Sequence, residues 1–149
     1  MPRRTLDEPI PADELLFRSV SPEDVVGGDV MATAVDLPRC SFNRAKYCSG
    51  PASVVIEERP SDTGVVSISV GALPGPVPRS GVSTGEPYEF IGADDPNPDE
   101  DPENSAHAEV RLRPQGSAFS KNHRVKDKAV LAKAKDELCR RLTIVVVPI

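Results

Sequence analysis

Apolar and polar positions alternate along this chain in short runs, separated by proline, glycine and acidic punctuation. The cleanest run is AHAEVRLRP at 106–114. Ala108, Val110 and Leu112 point one way and His107, Glu109, Arg111 and Arg113 the other, the period of two that a half-buried strand requires. VVSISVGAL at 65–73 sets Val66, Ile68 and Val70 against Val65, Ser67 and Ser69 and predicts a strand with one buried face. LLFRSV at 15–20 reads as a first strand, with Arg18 inside it. DVMATAVDLP at 29–38 reads as a second, ending before Pro38 because a residue preceding proline avoids the helical region. SVVIEE at 53–58 and YEFIG at 88–92 add two short strands, and the β-branched TIVVVPI at the end predicts a buried one.

One stretch follows the other period. Between 121 and 142, Val130, Leu131, Ala134, Leu138 and Leu142 fall on a single stripe, which predicts one long helix rich in alanine and lysine. SPEDVVGG at 21–28 reads as a capped helical turn stopped by Gly27 and Gly28. CSFNRAKYCSGP at 40–51 reads as a short helical turn or structured loop anchored by Phe42 and Tyr47. Strands that follow strands with turns between them predict an α+β fold: one antiparallel or mixed sheet of six or seven strands under a C-terminal helix. The expected organisation is a flexible tail over 1–12 and a single domain over 13–149. Mobile loops are expected near 74–87 and 93–105, where proline, glycine and acid dominate.

Composition narrows this picture. A chain of 149 residues with no tryptophan builds one core, mainly from Val, Leu, Ile and Ala. No run approaches the ~20 apolar residues that span a membrane, and none follows Arg3 and Arg4 as an export signal would. No membrane contact is therefore expected, and the chain is assigned to the cytoplasm. Cys40, Cys48 and Cys139 are an odd set, expected as reduced thiols. A zinc site combining them with His107 lacks the paired spacing such sites use. No phosphate loop, dinucleotide fingerprint, serine elbow or paired zinc motif occurs, so neither cofactor nor metal is called for.

The net charge of −5 conceals a division. Residues 121–141 hold eight basic and three acidic residues, leaving the rest of the chain at −10. That balance argues against nucleic acid, whose binders carry a dominant basic footprint, and for a basic helix face meeting an acidic partner.

The strongest candidate chemistry lies on the polar side of 107–113. His107 and Glu109 share a strand face, with Arg111 next in line: an imidazole, a carboxylate to orient it and a guanidinium to hold an anion. The donor-rich SFNRAKYC segment adds Asn43, Arg44 and Tyr47, and Arg18 lies in the first strand. A solvated sheet face has the same appearance. Two functions follow. One is a binding module that engages a protein partner or a small anionic ligand through the basic helix and the His/Glu/Arg strand face. The other is a small enzyme acting on a phosphorylated or nucleotide-like substrate, with His107 as general acid or base, Glu109 as its orienter and Arg18, Arg44 and Arg111 as anion holders. The oligomeric state is not specified by any feature. The order LLFRSV, SFNRAKY, HAEVRL before a terminal helix resembles small bacterial proteins of no assigned function, which implies only that SFNRAKY and HAEVRL belong to one surface.

Overall fold

The computed structural model describes residues 8–54, 61–79, 85–96, 105–119 and 124–149. Its strands are β1 (Leu15–Val20), β2 (Val25–Val26), β3 (Asp29–Val30), β4 (Arg39–Arg44), β5 (Gly64–Ser69), β6 (Tyr88–Asp94), β7 (His107–Pro114) and β8 (Thr143–Val146), and its helix is α1 (Lys128–Arg141). Six strands form one sheet in the order β6-β7-β4-β1-β5-β8, every neighbouring pair antiparallel. β2 and β3 form a separate hairpin. Its turn is Gly27 and Gly28, both at positive φ (60° and 85°), where residues with a Cβ are disfavoured. The fold is a single α+β domain.

The helix covers one face of this sheet, here called the inner face. Leu16, Val20, Phe42, Val66, Ile68, Ala108, Val110 and Leu112 project into a core with Val130, Ala134, Leu138 and Leu142. The stripe read from the sequence is thus the buried one, and Leu131 packs at its margin. The helix begins at Lys128 rather than near 121, because the Asp127 carboxylate caps it, accepting from the amides of Ala129 and Val130 at 3.1 Å. Residues 121–123 lie outside the described residues. Among the described residues no helix is long and apolar enough to cross a membrane.

Several local expectations change. The segment expected as a turn over 40–51 begins as a full strand, β4, and only then becomes two 3-10 turns, Ala45–Tyr47 and Pro51–Val54. The expected strand at 29–38 is two residues of hairpin followed by a 3-10 turn at Ala32–Ala34. β5 is buried on both faces: Val66 and Ile68 enter the main core, while Val65 packs on the opposite side with Phe17 and Val54. Among the described residues β8 pairs only with β5 and lies at the sheet edge, and Val145 is exposed where a buried strand was expected. The expected strand at 53–58 and the expected loops at 74–87 and 93–105 fall partly outside the described residues. Within the stretch expected as a tail, Glu8 and Ala12 bond to the domain: the Glu8 amide donates to Asp94 at 2.9 Å, and the Gly71 amide donates to the Ala12 carbonyl at 2.8 Å.

Candidate functional site

β4 and β7 lie side by side with Arg39 opposite Arg111, Ser41 opposite Glu109 and Asn43 opposite His107. SFNR and HAEVRL are therefore direct neighbours. The alternation that sends Cys40, Phe42, Val110 and Leu112 inward sends Arg39, Ser41, Asn43, His107, Glu109 and Arg111 to the outer face, away from the helix. Six polar side chains thus form three rungs across two strands.

Glu109 is the centre of this surface and is 3% exposed. Arg39 grips it from β4 with Nε at 3.0 Å and Nη2 at 2.6 Å from Oε2, and Arg111 donates Nε to Oε1 at 2.8 Å. Burial pushes the Glu109 carboxyl up, but the two guanidiniums outweigh it and hold the group below the ordinary carboxylate range. The same contact raises Arg39. With the Asp95 carboxylate also in the cluster, two guanidiniums face two carboxylates, so what is left over is hydrogen-bond donors rather than net charge. Arg39 Nη1 and both Arg111 Nη atoms have no hydrogen-bond partner among the described residues, and the Arg111 guanidinium lies 4.8 Å from the Phe119 ring centre.

His107 stands at the next rung and is oriented by Asp95, not by Glu109 as expected. Its Nδ1 lies 2.7 Å from the Asp95 carbonyl and 3.3 Å from the Asp95 carboxylate, while Nε2 lies 3.2 Å from the Ser41 hydroxyl. Asp95, His107 and Glu109 each offer a ligand atom within 4.8 Å of one another, a donor set suited to a divalent ion. Both Glu109 oxygens are already held by guanidiniums, however, and an added cation would meet two positive charges there. The arrangement fits an anion better than a metal.

Arg44 and Tyr47 do not join this surface. Asn43 faces His107, so Arg44, one residue on, projects to the inner face at the end of the sheet. There its side chain is 1% exposed and surrounded by three carboxylates. Nε and Nη2 bond Glu14 at 2.9 and 2.7 Å, while Nη1 lies 2.7 Å from Glu8 and 3.2 Å from Asp94. Tyr47 donates its hydroxyl to Glu8, and its ring lies 5.1 Å from the Arg44 guanidinium carbon. The Tyr47 hydroxyl, joined by Arg44 and Lys46, lowers the Glu8 carboxyl despite some desolvation. Hydrogen bonds that Arg44 donates to Glu14 and Asp94 raise its pKa against the opposing effect of burial. The anion that Arg44 was expected to take from a ligand is supplied by its own chain.

Arg18 is likewise committed. β1 and β4 pair only at Leu16–Arg44 and Phe17–Asn43, and beyond that point Arg18 bonds the Ser41 carbonyl at 2.9 Å, the Ala34 carbonyl at 2.7 Å and Asp36 at 3.3 Å. The cysteines are divided by the sheet. Cys40 and Cys139 lie in the inner core and Cys48 packs against the cluster on the outer side, so no common site with His107 forms. Sequence reasoning missed Arg39 and Asp95, and counted Ser41 only among the donors of the SFNRAKYC segment. The only available signal was the alternation of Arg39, Ser41 and Asn43 against Cys40 and Phe42. Comparisons with family models, curated proteins and solved structures return no match to this chain.

Proposed function

We propose that this domain binds a small ligand carrying a carboxylate or phosphate on the outer face of β4 and β7. Arg39 and Arg111 supply the charge, and Ser41 and His107 supply adjoining polar contacts. The observation that carries this reading is the pair of guanidiniums on one buried carboxylate: Glu109 fixes both arginines in place while leaving N–H donors over. Preorganised donors of this kind lose little conformational freedom on binding. The three free cysteines support a reducing, cytoplasmic setting.

A small ligand is favoured over a protein partner because the donors are recessed. The His107 and Arg111 side chains are 14% and 16% exposed, and only Arg39 and Ser41 reach outward. The basic helix contributes less than its composition promises. It lies on the opposite side of the sheet, and Arg140 is paired with Asp136 at 2.9 Å. One small ligand therefore cannot touch both surfaces.

The test is a thermal melt at low salt with succinate and with inorganic phosphate. Saturation near one hundred times Kd stabilises a protein by about 2.7 kcal/mol, which is about 5–11 °C for a chain of this size. Arg39→Gln should remove most of that shift. No shift with either anion refutes the reading. Binding of an acidic peptide without any response to succinate or phosphate would transfer the surface to a protein partner.

A further inference from the structure

The outer face holds a second arrangement that anion binding alone does not use. Ser41, His107 and Asp95 form a row, hydroxyl to imidazole to carboxylate, with contacts of 3.2 and 3.3 Å. Two strands and a loop supply them: Ser41 from the middle of β4, His107 from the start of β7 and Asp95 from the residue after β6. The Asp95 amide also donates to the His107 carbonyl at 3.0 Å, which fixes the loop to the strand that carries the imidazole. Two acceptors meet at Nδ1, the Asp95 carbonyl and the Asp95 carboxylate, so the ring proton resides there. Nε2 is left as the acceptor facing Ser41. That is the tautomer a general base for a serine hydroxyl requires. Ser41 is exposed, as a nucleophile must be, whereas the imidazole behind it is largely covered.

We infer that Ser41 is a nucleophile for acyl transfer, with His107 as its general base and acid and Asp95 as the group that orients and balances the imidazole. The substrate class is an ester that also carries a carboxylate or phosphate. This inference rests on the anion-binding reading above, because the Arg39–Arg111 rung lies directly beside the rung of Ser41 and Glu109. In the first step the Ser41 Oγ bonds to the ester carbonyl carbon and its proton passes to His107 Nε2. The bond from that carbon to the alcohol oxygen then breaks, and the leaving alcohol takes the proton from Nε2. In the second step water adds to the Ser41 acyl ester, giving one proton to His107. The carbon–Oγ bond breaks, Oγ recovers that proton, and the acid product departs, releasing its remaining proton to solvent water as it becomes a carboxylate.

The experiment uses the full chain and three readouts: covalent labelling by a fluorophosphonate located by peptide mass spectrometry, hydrolysis of p-nitrophenyl succinate and p-nitrophenyl acetate, and succinate-induced thermal shift. The expected result is one adduct on Ser41, faster hydrolysis of the succinate ester than of the acetate ester, and loss of labelling in both Ser41→Ala and His107→Gln. Hydrolysis should fall at least about 10²-fold in each variant, the range for removing a general base or its partner. Ser41→Ala lies at an exposed position and should melt as the wild type does without ligand, keeping a reduced succinate shift because Arg39 and Arg111 remain. Wild-type protein that shows a succinate shift but neither labelling nor hydrolysis above buffer overturns the nucleophile and leaves anion binding intact. Labelling of Ser41 with equal rates on both esters and no succinate shift overturns the anion reading and leaves the nucleophile standing.

Discussion

Replacing Arg44 with methionine should destabilise the protein more than any surface charge change. Methionine has an unbranched side chain of comparable length, so the shape of the site is roughly kept while the charge is lost. What remains is Glu14, Glu8 and Asp94 facing one another, with the Asp94 side chain fully buried. Removing one partner from a buried ion pair costs about 3–5 kcal/mol, because the orphaned charge stays out of water. For a chain of this length that is about 6–20 °C in Tm. Lys46→Met is the internal control. Its amine is more than half exposed and 3.6 Å from Glu8, so its loss should cost less than about 1 kcal/mol. The pH dependence supplies a second check. Glu8 has a lowered folded pKa, so its contribution is present above the ordinary carboxylate range and fades as pH falls through the depressed value. In Arg44→Met the three carboxylates repel, take up protons more readily on folding, and the deficit should shrink as the pH is lowered toward about 4–5. Thermal melts of wild type and both variants from pH 4 to 8 decide the matter. A loss below about 1 kcal/mol at pH 7, or a deficit that grows on acidification, would refute the argument.

Two further outcomes follow from packing. Leu112 is fully buried in the inner-face core, so Leu112→Ala should cost about 2–5 kcal/mol in a denaturant titration, and no loss would mean that β7 is turned over. Thiol titration should return three free thiols after denaturation; in the native protein Cys48 should react first, since Cys40 and Cys139 are buried and burial pushes the Cys139 thiol up to about 11. Three fast native thiols would contradict that placement.

Where hydrophobic periodicity was undisturbed, the sequence was a sound guide. Leu15–Val20 is the strand its short apolar run implies, His107–Pro114 the strand its alternation implies, and the stripe from Val130 to Leu142 is the face α1 buries. β4 was hidden by one residue. Cys40 and Phe42 point inward, but Arg44 occupies the third inward position, and a charged residue there breaks the apolar pattern of a strand. Its partners Glu8, Glu14 and Asp94 are remote in the chain, so nothing local shows that the charge is compensated. The same remoteness concealed the candidate site. Glu109 is buried because Arg39, seventy positions away, lies across it, and the His107 partners Ser41 and Asp95 are fixed only by strand register and by the loop after β6. β8 was misjudged for a different reason: β-branched composition favours a strand, but only strand order decides whether that strand lies at an edge.

The β4–β7 ladder joins residue 43 to residue 107 and residue 39 to residue 111, and β1 in turn lies between β4 and β5. The closure entropy of those long spans must be met before any rung of the ladder forms, which places such a topology among the slower two-state folders, on the order of milliseconds to seconds. Every side chain of the outer-face cluster belongs to this closure or to the loop adjoining it. Ser41 and His107 are separated in any partly folded chain that has made only its hairpins and its helix. Arrival of His107 beside Ser41 therefore marks closure of the β4–β7 ladder, and the kinetics of that encounter would clock one non-local step of folding, where helical signals would report only a local one.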